Sequence, residues 1–491
     1  MKKTPLKQLS SEEEENVEGF TYPYAILPGN YPDPSLVRVG RDYYMTHSCG
    51  HNGPALQLWH STNLMGWEPI GYALEEPEGD IWAPDICFHN GTFYIYYTQV
   101  GGNYCITARD PRGPWSKPVA LSVPGIDPGH LCDKRGNRYL YLSDGYMAEL
   151  SEDGLQVKTE ARKVYDGWKY PEEWCVEGFC LEGPKLFYYN DYYYLTVAEG
   201  GTAGPATSHM AVTSRSKNVD GPWEHSPYNP VIKTWSSEEV WWSKGHATLI
   251  DDLNGDWWAV YHAYERNART IGRQTLIEPI EWTDDGWFKT VTAKNTKIEK
   301  NPWFEANLSD DFHGKKLGWQ WQCVNDHQHK VEYRVEDGAI TIEGFGSSPQ
   351  DGSVVVCKPV GTSYEATIRV TISKAAEAGL LLYYNSSCYF GLGMNREIVF
   401  PMALTSAFKG RADRMTSNTC EMRILNEQDE LSFYYRSIGG MWQKVDLGWE
   451  VSGCHHNVLG GFGSLRIGLY VSGNGSATFQ RFRYHPIDSK W

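Results

Sequence analysis

The 491-residue sequence contains no apolar run approaching the ~20 residues that a membrane-spanning helix requires. It is also short of positive charge. Its 45 Lys and Arg against 61 Asp and Glu give a formal charge of −16, which argues against nucleic acid and anionic membrane surfaces as partners, since both call for basic stripes. The 11 cysteines are scattered without C-x-x-C spacing, so neither a zinc site nor a disulfide framework is indicated. Cys87, Cys105 and Cys132 fall in apolar strand contexts and read as buried thiols of a reducing compartment. No stretch has the period of a long amphipathic helix. Residues up to Gly19 carry Lys2, Lys3 and the run Glu12 to Glu15 with no apolar segment behind them, unlike a secretory leader. The expected location is the cytoplasm, or the periplasm if a leader has been removed. Nothing in the sequence speaks to oligomeric state.

Aromatic residues, by contrast, are abundant, with 20 Trp and 32 Tyr. In an acidic, strand-rich chain this suggests surfaces that stack on sugars, although such rings also suit strands for packing alone. The stretch Asn30-Tyr31-Pro32-Asp33-Pro34-Ser35 opens a pattern that returns four times. After Asp33 come an apolar run, the turn Gly40-Arg41-Asp42 and the strand Tyr43-Tyr44-Met45. After Asp85 the turn is Asn90-Gly91 and the strand Phe93 to Tyr97; after Asp127 the strand is Tyr139-Leu140-Tyr141. After Glu182 it is Tyr192 to Leu195, and after His246 it is Trp257 to Tyr261. Each unit reads as a hairpin. The period of roughly 40 to 65 residues suits a propeller blade.

The fold class is therefore all-β. Residues 1–21 read as an N-terminal extension, 22–300 as a five-bladed β-propeller, and 301–491 as a β-sandwich of short alternating strands. The propeller reading places Asp33, Asp85, Asp127, Glu182 and His246 at equivalent positions on one axis. Converging carboxyl groups perturb one another's pKa values, a functional-site signature. Cleaving a glycosidic bond takes a base to activate water and an acid to protonate the leaving oxygen. Asp33 and Glu182 are the candidates for base and acid. Asp127 is the third carboxylate, able to raise the acid's pKa by like-charge repulsion.

These motifs resemble glycoside hydrolase family 43, five-bladed propeller enzymes that release arabinose and xylose with inversion. The matching pieces are Asn30 to Ser35 for the base, Ile126-Asp127-Pro128 for the modulating Asp, and Glu182-Gly183-Pro184 for the acid. The resemblance implies that Trp82 of Trp82-Ala83-Pro84-Asp85 stacks on the sugar and Asp85 binds its hydroxyls, and that Arg273 of Ile271-Gly272-Arg273 reaches the terminal sugar. Ser309-Asp310-Asp311-Phe312 is similar to the opening of the concanavalin-like sandwich appended to many family members. Lys185 and His130 depart from common family residues; His130 is a candidate pocket residue. His246 resembles the family's channel histidine, which implies a possible structural calcium but no cofactor required for catalysis. The resulting expectation is an inverting, exo-acting hydrolase that takes a terminal pentose, α-L-arabinofuranosyl or β-D-xylosyl, from hemicellulose or its oligosaccharides. The alternatives are a non-catalytic glycan-binding propeller and a family 43-like galactosidase. A retaining fructosidase is suggested by Arg109-Asp110-Pro111 but lacks its nucleophile motif here.

Overall fold

The computed structural model describes residues 22–291, 308–325, 329–403, 408–410 and 413–487. The expected extension at 1–21 and the domain boundary at 300/301 lie outside the described residues.

Residues 22–291 form five antiparallel sheets arranged as blades. Their first strands are Ser35–Val39, Ile81–His89, Gly129–Cys132, Glu182–Tyr189 and Trp241–Asp251. These strands touch one another in a ring, so they line the axis. Each turns back into its aromatic strand: Asp42–Thr46, Thr92–Gln99, Arg138–Leu142, Tyr192–Glu199 and Trp257–Glu265. The Asn90-Gly91 and Asn190-Asp191 turns have both central residues in the left-handed region, the conformation whose twist matches the flanking strands and favours Asn, Asp and Gly.

The aromatic strands owe their composition to burial on both faces. Thr92–Gln99 is buried at seven of its eight positions, because each blade is packed against a neighbour on either side. One apolar cluster joins Ile95 and Tyr97 of the second blade to Leu58 of the first, and another joins Tyr194 and Ala211 of the fourth to Ala247 and Tyr261 of the fifth. Burying each such side chain stabilises by about 1.5–3 kcal/mol. The ring closes where the N-terminal strand Tyr24–Leu27 pairs with Arg273–Trp282 in the fifth blade.

The C-terminal part is a sandwich of a seven-stranded and a nine-stranded sheet. Ser363–Ile372 alternates strictly between buried and half-buried positions, as a strand with one solvated face should. Trp321, Leu380, Ile424, Leu469 and Phe479 fill the core between the sheets. The nine-stranded sheet borrows one strand from the propeller: Asn52–Gly53 pairs with Trp321–Val324. Further polar ties cross the same junction. Arg466 donates to Asn52 Oδ1 at 2.7 Å, and the Thr270 hydroxyl to Asp429 Oδ1 at 2.8 Å.

Candidate active site

The axial residues lie in successive rows, and the rows correct one expectation from the sequence. Asp33, Asp127 and His246 do occupy one structural position. All three have left-handed backbones, with φ of 57°, 57° and 58°. The same position in the other blades is filled by Ala83 and Gly183, also at positive φ. Asp85 and Glu182 are therefore not equivalent to Asp33. Glu182 lies one residue earlier, in the row of Trp82, and Asp85 two residues later, in the row of Ser35 and Lys185. In the second and fourth blades the strand pairing shifts register around this position, between Trp82 and Asp85 and between Glu182 and Lys185. Gly183 is required where it stands, since a Cβ there would come within 2.7 Å of the His246 ring.

Asp33 is buried and held by several donors. Arg273 Nη1 lies 3.2 Å from Oδ1 and the Ser48 hydroxyl donates to Oδ2 at 2.6 Å. His262 Nδ1 is 3.0 Å from Oδ1, while its Nε2 meets the Thr202 hydroxyl at 3.2 Å. Burial alone would raise the pKa of Asp33. The Arg273 charge first, with smaller contributions from His246 and His262, outweighs it and holds the carboxyl well below its ordinary range. Sequence reasoning missed Ser48 and His262. A histidine inside the apolar strand Trp257–Glu265 was the available signal.

Glu182 has the opposite environment. Burial, then the charges of Asp127 and Asp33, push its pKa well above the ordinary carboxyl range. Asp127 is raised to about 7 by burial and by Asp33, and its Oδ2 accepts from the Gly183 amide at 3.0 Å. Asp33 is thus favoured as the carboxylate, and Glu182, near enough to feel its charge, as the protonated acid.

Arg273 is buried beside Asp33, and its Nε has no hydrogen-bond partner among the described residues. Its guanidinium carbon stands 5.1 Å from the ring of Phe462, a sandwich residue not legible as a site residue. Phe462 stacks on His456 at 4.1 Å, and Asn457 next to it donates to the carbonyls of Ala203 and Gly204 at 2.7 and 3.1 Å. The sandwich thereby supplies part of the wall.

Trp82 is 41% exposed in the Glu182 row, where an indole face is available to a sugar. Asp85 is not available in this way. Its Oδ1 accepts from Ser35 at 2.9 Å and from Lys185 at 2.8 Å, and its Oδ2 from the His130 amide at 2.8 Å. This network lies below the catalytic row, so the expected contact of Asp85 with sugar hydroxyls is replaced by a structural role. His130 is likewise engaged: Arg138 Nε donates to its Nε2 at 3.0 Å and Tyr96 stacks on it at 5.4 Å. With Asp85 and Lys185 it borders an axial cavity of about 290 Å³ that reaches Arg38 and Asp251, below the catalytic row.

His246 is buried, with Nδ1 3.5 Å from Asp33 Oδ1 and Nε2 unpartnered among the described residues. Burial lowers its pKa to about 3, leaving a neutral imidazole. Donor atoms of His246, Asp127 and Glu182 lie within 4.8 Å of one another. This set does not fit a resident calcium, which takes 6–8 oxygen ligands. Two carboxyl groups and one nitrogen fall short.

The arrangement is that of a glycosidase with a paired acid and base. Residues 22–288 match Glycosyl hydrolases family 43, and residues 309–485 match the beta-xylosidase C-terminal concanavalin A-like domain. The chain belongs to glycosyl hydrolase family 43. It is 29% identical to the non-reducing end alpha-L-arabinofuranosidase BoGH43B of Bacteroides ovatus, over 96% of this chain and 94% of that one. It is 26% identical to a beta-xylosidase of Bacillus subtilis, over 94% and 98%. Among solved structures, the GH43 protein BlXynB from Bacillus licheniformis superposes with a TM-score of 0.85 at 29% identity, covering 95% of this chain and all (100%) of that one.

Proposed function

We propose that this enzyme is an inverting, exo-acting pentosidase that removes a terminal α-L-arabinofuranosyl or β-D-xylosyl unit from hemicellulose-derived oligosaccharides. The observation that carries the proposal is the opposed environment of two neighbouring carboxyl groups. Asp33 accepts from the Ser48 hydroxyl and lies against Arg273, which lowers its pKa, and Glu182 is buried beside Asp127 and Asp33, which raises its pKa. Asp33 accepts a proton from water as the water attacks the anomeric carbon. Glu182 delivers its proton to the departing glycosidic oxygen. Asp127, close to Glu182, disfavours a second negative charge there and so keeps the proton in place. Arg273 fixes Asp33 at the wall of the site, and Trp82 supplies a stacking face. The names of the relatives above support both pentoses. Phe462, against Arg273, supports a blocked pocket that admits a chain end. No step is routed through a metal. The 11 free cysteines support a cytoplasmic location.

The test is hydrolysis of 4-nitrophenyl α-L-arabinofuranoside and β-D-xyloside side by side, with Glu182→Gln as control and the first-formed anomer followed by proton NMR. Release of one pentose with inverted configuration is expected, with activity on unactivated β-1,4-xylobiose lost in Glu182→Gln. Release with retained configuration would overturn the assignment of Asp33 as base, and silence on both glycosides would overturn the pentosidase reading.

A further inference from the structure

A row of aromatic rings leads away from the acid along the rim of the propeller, and no catalytic step uses it. It begins at Phe179, three residues ahead of Glu182 in the same segment. Phe179 meets Tyr170 at 6.1 Å, Tyr170 lies parallel to Trp174 at 6.5 Å, and Trp174 meets Trp235 edge-on at 5.7 Å. Trp235 is 63% exposed and Phe179 41%.

The exposure is built in rather than incidental to a loose loop. The Trp235 and Ser236 amides both donate to Glu239 Oε1, at 2.7 and 3.1 Å, and Lys244 holds the other oxygen of Glu239 at 2.7 Å. The Thr234 hydroxyl closes the same loop by donating to the Trp241 carbonyl at 2.8 Å. The Lys233 ammonium donates to the Thr207 carbonyl and lies 4.5 Å from the Trp174 ring centre. Phe179 is pinned in turn, its carbonyl accepting from the Gly200 amide at 3.0 Å. A large indole held outward on a fixed loop beside an active site is a surface suited to stacking.

We propose that this row is a platform for the sugar residues on the leaving-group side of the scissile bond, with Trp235 as its outer anchor. The proposal rests on the reading of Glu182 as the acid, because the leaving oxygen and the chain behind it must then lie on the side of Glu182. The chemistry it selects is a neutral glycan chain presenting C–H faces. The competing occupant, a second copy of this protein, is disfavoured by the exposed Glu172, Glu173, Glu177 and Glu238 scattered through the patch, since charged residues are depleted from the dry centres of protein interfaces.

The test uses the full chain carrying Glu182→Gln, so that chemistry is halted, titrated calorimetrically with β-1,4-xylobiose and β-1,4-xylopentaose. The pentaose is expected to bind about tenfold more tightly than the biose, a difference of the size one aromatic stacking contact supplies. Adding Trp235→Ala should bring the two affinities together, and Trp235→Phe should restore most of the difference. An unchanged pentaose-to-biose ratio in Trp235→Ala overturns the platform, as does absence of binding by either sugar. Conversion of an oligomer to a monomer by Trp235→Ala in sedimentation velocity also overturns it, and assigns the patch to self-association. Should the enzyme with Glu182 intact cleave neither nitrophenyl pentoside, the proposed function falls while this titration still decides the platform.

Discussion

Arg273 Nη1 lies 3.2 Å from Asp33 Oδ1, and both side chains are buried. The pair makes Asp33 a carboxylate that resists protonation, so the acidic limb of the kcat/KM profile is expected below the ordinary carboxylate range. Removing the cation should move that limb to higher pH. Arg273→Gln is therefore expected to lower kcat/KM on a 4-nitrophenyl pentoside by about 10²-fold or more, the scale of one lost general-base contribution, and to lose more of its activity at pH 4 than at pH 7. A profile shifted vertically with the acidic limb unmoved would mean that Arg273 acts on the sugar alone.

Glu182 carries a linked stability prediction. Its pKa in the folded state is raised by burial first and by Asp127 and Asp33 after it. A group raised in this way stabilises the fold below its unfolded pKa and loses that contribution as pH rises through the folded value. Glu182→Gln removes the cost of ionising the buried carboxyl. The variant should be inactive on unactivated oligosaccharides yet melt about 1–3 °C higher at pH 8, with a smaller gain at pH 5. Equal melting temperatures at both pH values would contradict the raised pKa.

Asp127 should reveal itself on the other limb. Because its negative charge helps keep Glu182 protonated, Asp127→Asn is expected to shift the alkaline limb of the profile to lower pH and to reduce kcat by about 10²–10³-fold. The acidic limb, governed by Asp33, should move less. Stopped assays between pH 4 and pH 9 separate the two limbs.

How much of this was legible in the sequence follows from what a repeat can reveal. The hairpin chemistry of Asn90-Gly91 and the aromatic strands announced five blades, and Asp33, Asp127 and His246 were brought to one row as expected. The offsets of Glu182 and Asp85 were missed when the copies were aligned on their acidic residues; the proline that follows Asp33, Ala83, Asp127 and Gly183 is the signal that marks the shared row. Ser48 and His262 were hidden for a different reason. They are single polar residues, Ser48 just past the end of the first blade's second strand and His262 inside an apolar strand of the fifth, and their meaning appears only when the fold brings them to Asp33. Phe462 arrives from the other domain across a junction that no local pattern encodes.

Lys185 shows how an apparent departure from the family pattern becomes an internal requirement. Its ammonium donates to Asp85 Oδ1 at 2.8 Å and to the Pro84 carbonyl at 2.9 Å, and both side chains are about nine-tenths buried, at 8% and 11% exposure. Below the catalytic row it supplies the positive charge that faces Asp85. Removing one partner of a buried ion pair strands the other, at a cost of about 3–5 kcal/mol. Lys185→Met alone should therefore lower the unfolding free energy by an amount in that range. Asp85→Asn added to it should recover part of the loss, because the amide oxygen can still accept from the His130 amide and the NH2 group can donate to the Ser35 hydroxyl oxygen without leaving an unpaired charge. A double-mutant cycle by chemical denaturation measures the coupling. A coupling near zero would show that solvent entering the axial cavity already compensates Asp85.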